Sequence, residues 1–307
     1  VKQGLEKSAG LDSTQLAQIE ALATVVNQAD GLSMKLNWSR LRHRPAEEVN
    51  DFLYYVDDVL VGFLALYIFN TQEAEVSAMT HPAHRRRGIF TRLLTAARPE
   101  VRRRRVPDLL FICERASTAG RASMETLPAV YQYSEYRMDL TRTLPPLALP
   151  AYLHLRPATL PDVPLMAHLD EICFRVPAEF NVPRLTKELS TVDHKTAFIV
   201  EFEGQGIGKI HIIANGPETW IAGFAILPAH RRQGYGKIIL SQTIANLKAQ
   251  GVENITLEVE TKNENALTLY QHCGFETVTG YDYYRLPACN TAPGSHRAGL
   301  FFPESVV

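Results

Sequence analysis

Short apolar runs of period two alternate with stretches of period 3.6, in the same order in both halves of the chain. DFLYYV and VLVGFLALYIF, joined at Asp57-Asp58, predict a hairpin in the first half; AFIVEFE and GIGKIHIIA, turning at GQG, predict one in the second. A strand follows each hairpin (AEVSAMT, 74–80; TWIAGFAIL, 219–227), then a helix (IFTRLLTAAR, 89–98; YGKIILSQTIANLKAQ, 235–250), then another strand (DLLFICE, 108–114; NITLEVE, 254–260). Both halves close on similar segments, SEYRMDL at 134–140 and YDYYRLP at 281–287. Leu11 to Gln28 reads as a helix with no convincing strand before it. The first half is therefore expected to lack its initial strand or to borrow one from the tail at 288–307. In the second half, a strand at Tyr152 to Arg156 precedes a helix capped by Thr159 or Asp162, and a further helix is expected near Pro183 to Ser190.

The repeat is explicit in one segment. PAHRRRG at 82–88 and PAHRRQG at 228–234 match at six of seven positions, 146 residues apart. TRTLPPLALPAY at 141–152 holds three prolines and suits a stiff linker. The expectation is one α/β domain used twice, at 1–145 and 146–307, with a tail from about 288. Hairpins mixed with crossovers predict an α+β mixed sheet with helices on its faces.

Composition narrows the field. Lys plus Arg number 32 against 33 for Asp plus Glu, so no bulk field selects nucleic acid. The longest apolar run, near Val59 to Phe69, is strand-sized, so no membrane partner is expected. The four cysteines form no CxxC pair and the ten histidines no HxxxH, which supports neither a metal site nor disulfides and fits a cytoplasmic protein. RRRR at 102–105 reads as a solvated helix C-terminus.

RRQGYGK, Arg231 to Lys237, lies between a strand and a helix. Gly234 and Gly236 leave backbone N–H groups open to one anion, at the positive end of the following helix, with Arg231, Arg232 and Lys237 adding charge. The turn suits a phosphate or pyrophosphate, yet it lacks the GK[ST] ending of a P-loop and the spacing of a dinucleotide fingerprint. Downstream, in NENALTLYQHCGF, Ala266, Leu269, Tyr270 and Cys273 share a helix face that Gly274 ends.

From LRPATLPDV through AILPAHRRQGYGK to LEVETKNENALTLYQHCGF, the second half resembles the GCN5-related N-acetyltransferase (GNAT) superfamily. The resemblance implies that Arg231, Arg232, Gln233, Gly234, Tyr235, Gly236 and Lys237 hold the pyrophosphate of acetyl-CoA. Ala225, Ile226 and Leu227 would pair with its pantetheine arm, and Asn265 would lie beside it. Tyr270 would protonate the departing thiolate. A carboxylate must take the amine's proton, and Glu218 is preferred to Glu258 and Glu260. The first half keeps Arg85 and Gly88 but has Phe90 where a small residue belongs, and no Asn–Ala–Tyr helix follows. The expectation is a tandem acetyltransferase acting on a small-molecule or peptide amine, catalytic in its second domain; the alternative is a silent CoA- or metabolite-binding regulatory module.

Overall fold

The computed structural model describes residues 1–44, 46–69, 72–191, 195–215 and 217–288. Among these residues the chain forms two compact units, one of Val1–Ser134 with 279–288, the other of Glu135–Val278. The cut expected at 145/146 is thus replaced by an exchange, in which each unit takes its closing strand from the other half of the sequence.

The first unit contains β1 (Gly4–Ser8), α1 (Ser13–Asp30), α2 (Trp38–Arg42), β2 (Asp51–Val56), β3 (Val59–Tyr67), β4 (Glu73–Thr80), α3 (Ile89–Arg103), β5 (Asp108–Glu114) and α4 (Thr118–Glu125). Its sheet runs β1-β2-β3-β4-β5 and closes with β12 (Phe275–Pro287), whose Tyr281 to Pro287 pair antiparallel with Glu114 to Asp108. An initial strand is therefore present: β1 pairs with β2, Gly4 opposite Tyr55. The borrowed strand lies at the other edge, and the tail from Cys289 lies outside the described residues. Asp57 and Asp58 both take positive φ, as a two-residue hairpin turn requires. The α3 side of the sheet buries Phe52, Leu64, Leu93 and Phe111; the α1 side buries Ile19, Leu53, Phe63 and Ala65.

The second unit repeats the plan with β7 (Leu153–Pro157), α5 (Val163–Phe174), α6 (Ala178–Ser190), β8 (Lys195–Phe202), β9 (Gln205–Asn215), β10 (Glu218–Ile226), α7 (Tyr235–Ala249), β11 (Asn254–Glu260) and α8 (Glu264–His272). Thr159 and Asp162 form a capping box on the short turn Leu160–Asp162 that leads into α5, whose own first residue is preceded by Asp162 without a side-chain cap. Its sheet closes with β6 (Val130–Leu140), whose Glu135 to Asp139 pair with Glu260 to Thr256 of β11. Three of the four arginines at 102–105 are engaged within the first unit: Arg102 donates to the Ala288 carbonyl, Arg103 meets Glu100, and Arg104 donates to Asn50.

Candidate active site

The two turns share one backbone. Arg86 and Arg232 both sit at φ 60°, and Gly88 and Gly234 at φ 75° and 82° cap the following helices. Non-glycine residues enter this left-handed region at a cost of about 1 kcal/mol, so its recurrence marks a geometry both copies retain. Neither helix start receives a side-chain cap, which leaves first-turn N–H groups available to an anion at the positive helix end. Around Gly234 even a Cβ would meet nothing within 4 Å. Arg232, Gln233, Gly234 and Lys237 are exposed there.

Two residues assigned to the anion have other work. Arg231 donates from Nε to the Ile226 carbonyl at 2.7 Å, and its Nη2 lies 3.2 Å from Cys173 Sγ. Arg85 likewise bonds the Thr80 carbonyl and forms a two-point ion pair with Asp30. In both copies this first arginine ties the turn to the strand end. Tyr235 is buried in an aromatic cluster with Phe202 and Tyr152, so its contribution to the turn is its backbone.

The strand before the turn distinguishes the units. Parallel pairing of β10 with β11 runs from Glu218↔Asn254 to Ile221↔Leu257 and, among the described residues, no further. Beyond it, Ala225, Ile226 and Leu227 have no β11 ladder partner. On the β9 side, Ala222 pairs with His211 and Ala225 with Lys209, so Gly223 and Phe224 stand opposite Ile210 alone. This is a β-bulge, and Gly223 supplies the positive φ of 52°. In the first unit β4 also parts from β5 after Val76↔Phe111, but its register on β3 is continuous from Tyr67↔Glu75 to Gly62↔Thr80. Phe90 packs its ring on Phe111, at the point where those strands part. The loop after α1 is fastened over the other side: Glu114 accepts from the Ser33 N–H, Tyr281 donates to the Ser33 carbonyl, and Lys35 donates to the Tyr283 hydroxyl.

Tyr270, on α8, is completely buried, its ring 6.1 Å from that of Phe275. Asn265 is exposed on the same helix. The asparagine that points inward is Asn263, which caps α8 through the Ala266 N–H and keeps a buried Nδ2 without a hydrogen-bond partner. Its position directly before the helix start was a legible N-cap signal. Glu218 is not brought to the opening. It lies at the far end of β10, roughly 25 Å of strand from Ile226 at about 3.3 Å per residue. There it is held by Arg137 at 2.6 Å and Trp220 at 3.1 Å beside a cavity of about 250 Å³ lined also by Asp139 and Thr256. Glu258 is buried one residue beyond the last β10–β11 pair, and Glu260 follows at the end of β11. Among the described residues no three His, Cys, Asp or Glu side chains group as metal ligands, and no helix is long and apolar enough to cross a membrane.

Beside the bulge lies a buried charged chain. Asp170 Oδ1 meets Lys209 Nζ at 2.6 Å, and Lys209 donates to His211 Nε2 at 3.2 Å. His211 Nδ1 is 3.0 Å from Glu188, which also holds Lys195 at 2.8 Å. Burial, then the charges of Lys209 and Lys195, push the His211 imidazole down to about 3. Its unfolded counterpart takes a proton below about pH 6.5. Between those values the unfolded chain binds more protons, so this group's stabilisation is complete above pH 6.5 and declines as pH falls, by up to about 1.4 kcal/mol per pH unit. Hydrogen exchange in α5 and β9 is expected to accelerate from pH 7 to 5 after correction for intrinsic rates. His211→Gln should flatten that trend; equal slopes would refute it.

A model of the Acetyltransferase (GNAT) family matches residues 16–123 and again 163–275. A mycothiol acetyltransferase of Streptomyces avermitilis is 26% identical over 305 residues, spanning 90% of this chain and 92% of that protein. Two solved structures share the fold. A GCN5-related N-acetyltransferase from Sphaerobacter thermophilus superposes with a TM-score of 0.76 at 17% identity, over 92% of this chain and 96% of that one. A tandem GNAT protein from the clavulanic acid biosynthesis pathway gives 0.72 at 17% identity, over 94% and 100%.

Proposed function

Since this chain belongs to the GNAT family of acetyltransferases, we propose that its second unit transfers the acetyl group of acetyl-CoA to a primary amine by direct attack in a ternary complex. The observation that carries this reading is the coincidence, in one unit, of the uncapped turn at Gly234, the parting of β10 from β11 and the bulge at Gly223. The match to a mycothiol acetyltransferase over 90% of this chain supports a small-molecule acceptor.

Acetyl-CoA supplies the activated thioester. The N–H groups of Arg232 to Lys237 and the charges of Arg232 and Lys237 hold the pyrophosphate, while the stretch Ala225, Ile226 and Leu227, which β11 leaves unpaired, runs along the pantetheine arm. The Ile226 carbonyl, taken by Arg231, and the Leu227 N–H, taken by the Ile207 carbonyl, are not among the groups that meet its amides. Asn263, instead of Asn265, borders this path with its spare amide. Backbone N–H groups at the bulge polarise the thioester carbonyl. Glu258, standing where the strands part, takes the proton from the acceptor ammonium in place of Glu218. Tyr270 gives its hydroxyl proton to the departing sulfur. The new C–N bond replaces the C–S bond; the nitrogen gives up two protons, one to Glu258 and one that restores the Tyr270 hydroxyl after its own proton has gone to sulfur, and Glu258 releases the one net proton to solvent.

The first unit is read as non-catalytic. Its β3–β4 register is unbroken, Phe90 packs on Phe111 where β4 leaves β5, and the Ser33–Lys35 loop is bonded to Ser77, Glu114, Tyr281 and Tyr283. An Arg86→Ala, Arg87→Ala variant, which spares the Arg85–Asp30 pair, is expected to keep acetyl transfer within a few-fold. Free-thiol release across an amine panel tests both claims. No thiol release with any amine would favour the silent binding module, and loss of activity in the double variant would move the site to the first unit.

A further inference from the structure

The buried pair Lys209 and His211 has a built-in comparison within the molecule. Ile207-Gly208-Lys209-Ile210-His211 of β9 corresponds to Val61-Gly62-Phe63-Leu64-Ala65 of β3, since Gly208 and Gly62 each pair with the residue that ends the next strand, Ile226 and Thr80. In the first unit the two positions are apolar and fully buried, and the facing strand is regular. In the second they carry an ammonium and an imidazole, each 2% exposed, and the facing strand bulges between them. The repeat therefore folds without these polar groups. Burying them carries a desolvation penalty that a hydrophobic pair avoids, so folding alone does not account for them.

Their position does. His211 and Lys209 are the β9 partners of the residues on either side of the bulge. The imidazole fills the space beneath Gly223, where an added Cβ would stand 3.2 Å from Cδ2. The ring is held from below by Lys209 and approached by Glu188 of α6; Lys209 is held in turn by Asp170 of α5, which Asn181 and Arg184 of α6 also contact, and Lys195 of β8 holds Glu188. The bulge is thereby braced by three elements of the unit.

We propose that Lys209 and His211 are positioning residues for acyl transfer, fixing the bulge of β10 so that its amides meet the thioester carbonyl. The inference rests on the acetyl-transfer reading above. It assigns the pair an effect on the chemical step and little effect on the binding of acetyl-CoA, whose pyrophosphate turn lies beyond the strand end.

The test restores the first unit's residues. Lys209→Phe and His211→Ala are combined with Asp170→Asn, so that no buried carboxylate is stranded. The folded triple variant is expected to bind acetyl-CoA within about threefold of wild type by calorimetry while kcat for thiol release falls by roughly 10²-fold, the range seen when an oxyanion donor is displaced. Two single variants cover the case in which the triple variant does not fold. His211→Leu fills the space but cannot accept from Lys209 and should lose more than tenfold in kcat; His211→Gln, which can accept, should recover most of that loss. Unchanged kcat in a folded triple variant, or equal kcat in the Leu and Gln variants, overturns the proposal alone. A wild-type protein that neither binds acetyl-CoA nor releases thiol overturns the acetyl-transfer reading, and this inference with it.

Discussion

A Gly236→Phe protein is expected to bind acetyl-CoA at least tenfold more weakly than wild type, a loss of about 1.4 kcal/mol or more. Gly236 occupies the first turn of α7, two residues after Gly234, where the N–H groups open toward the anion. The first unit already contains this substitution: Phe90 stands two residues after Gly88, and its ring lies against Phe111 where β4 leaves β5. The same backbone thus accommodates an aromatic residue at that place, which makes the variant a fair test of binding and not of folding. In the second unit the ring would reach toward Leu257, the last residue that β11 pairs with β10, and so close the path proposed for the pantetheine arm. Calorimetry on the folded variant decides it. Unchanged affinity would remove this turn from the cofactor site.

Tyr270→Phe is expected to lower kcat by roughly 10²- to 10⁴-fold, the range for a positioned general acid, with acetyl-CoA affinity retained. The ring lies in the second unit's main core, edge-on to that of Phe275, and Phe preserves that packing. Only the proton donor is lost. A change confined to KM would make the residue a binding element, and full activity would leave it a core aromatic, as its complete burial alone would suggest.

How much of this was legible in the sequence depended on distance along the chain. The hairpin at Asp57-Asp58 and the repeated turn are local, and both were readable as strings of residues. β1 escaped because GLEKS is short, polar and alternately exposed, with no apolar run to announce it. The bulge was hidden because Gly223 in WIAGFAIL reads as a strand glycine, and only the register against β9 reveals two residues opposite one. Lys209 and His211 were hidden by the same alternation, since a polar residue at every second position usually faces water. Glu218 was chosen for nearness in sequence to the strand that parts, yet the strand's length carries it away from the opening. Asn265 came from the resemblance alone, whereas the capping rule points to Asn263, the residue just before the helix.

The exchange of closing strands bears on how the molecule is made. β5 finds its antiparallel neighbour in a segment that begins some 160 residues later, so the first half emerging from the ribosome has a sheet that cannot yet be completed. Until β12 is synthesised, one flank of Asp108–Glu114 presents open backbone groups, a template for pairing with the wrong chain. Contacts this remote in sequence are reached late and slow the search for the native state. Cutting the gene at the proline-rich linker would therefore yield two fragments that each carry the other's missing strand; co-expression of both restores the pairings, and a rearranged gene that joins β12 to the first sheet or β6 to the second is the way to obtain either unit alone.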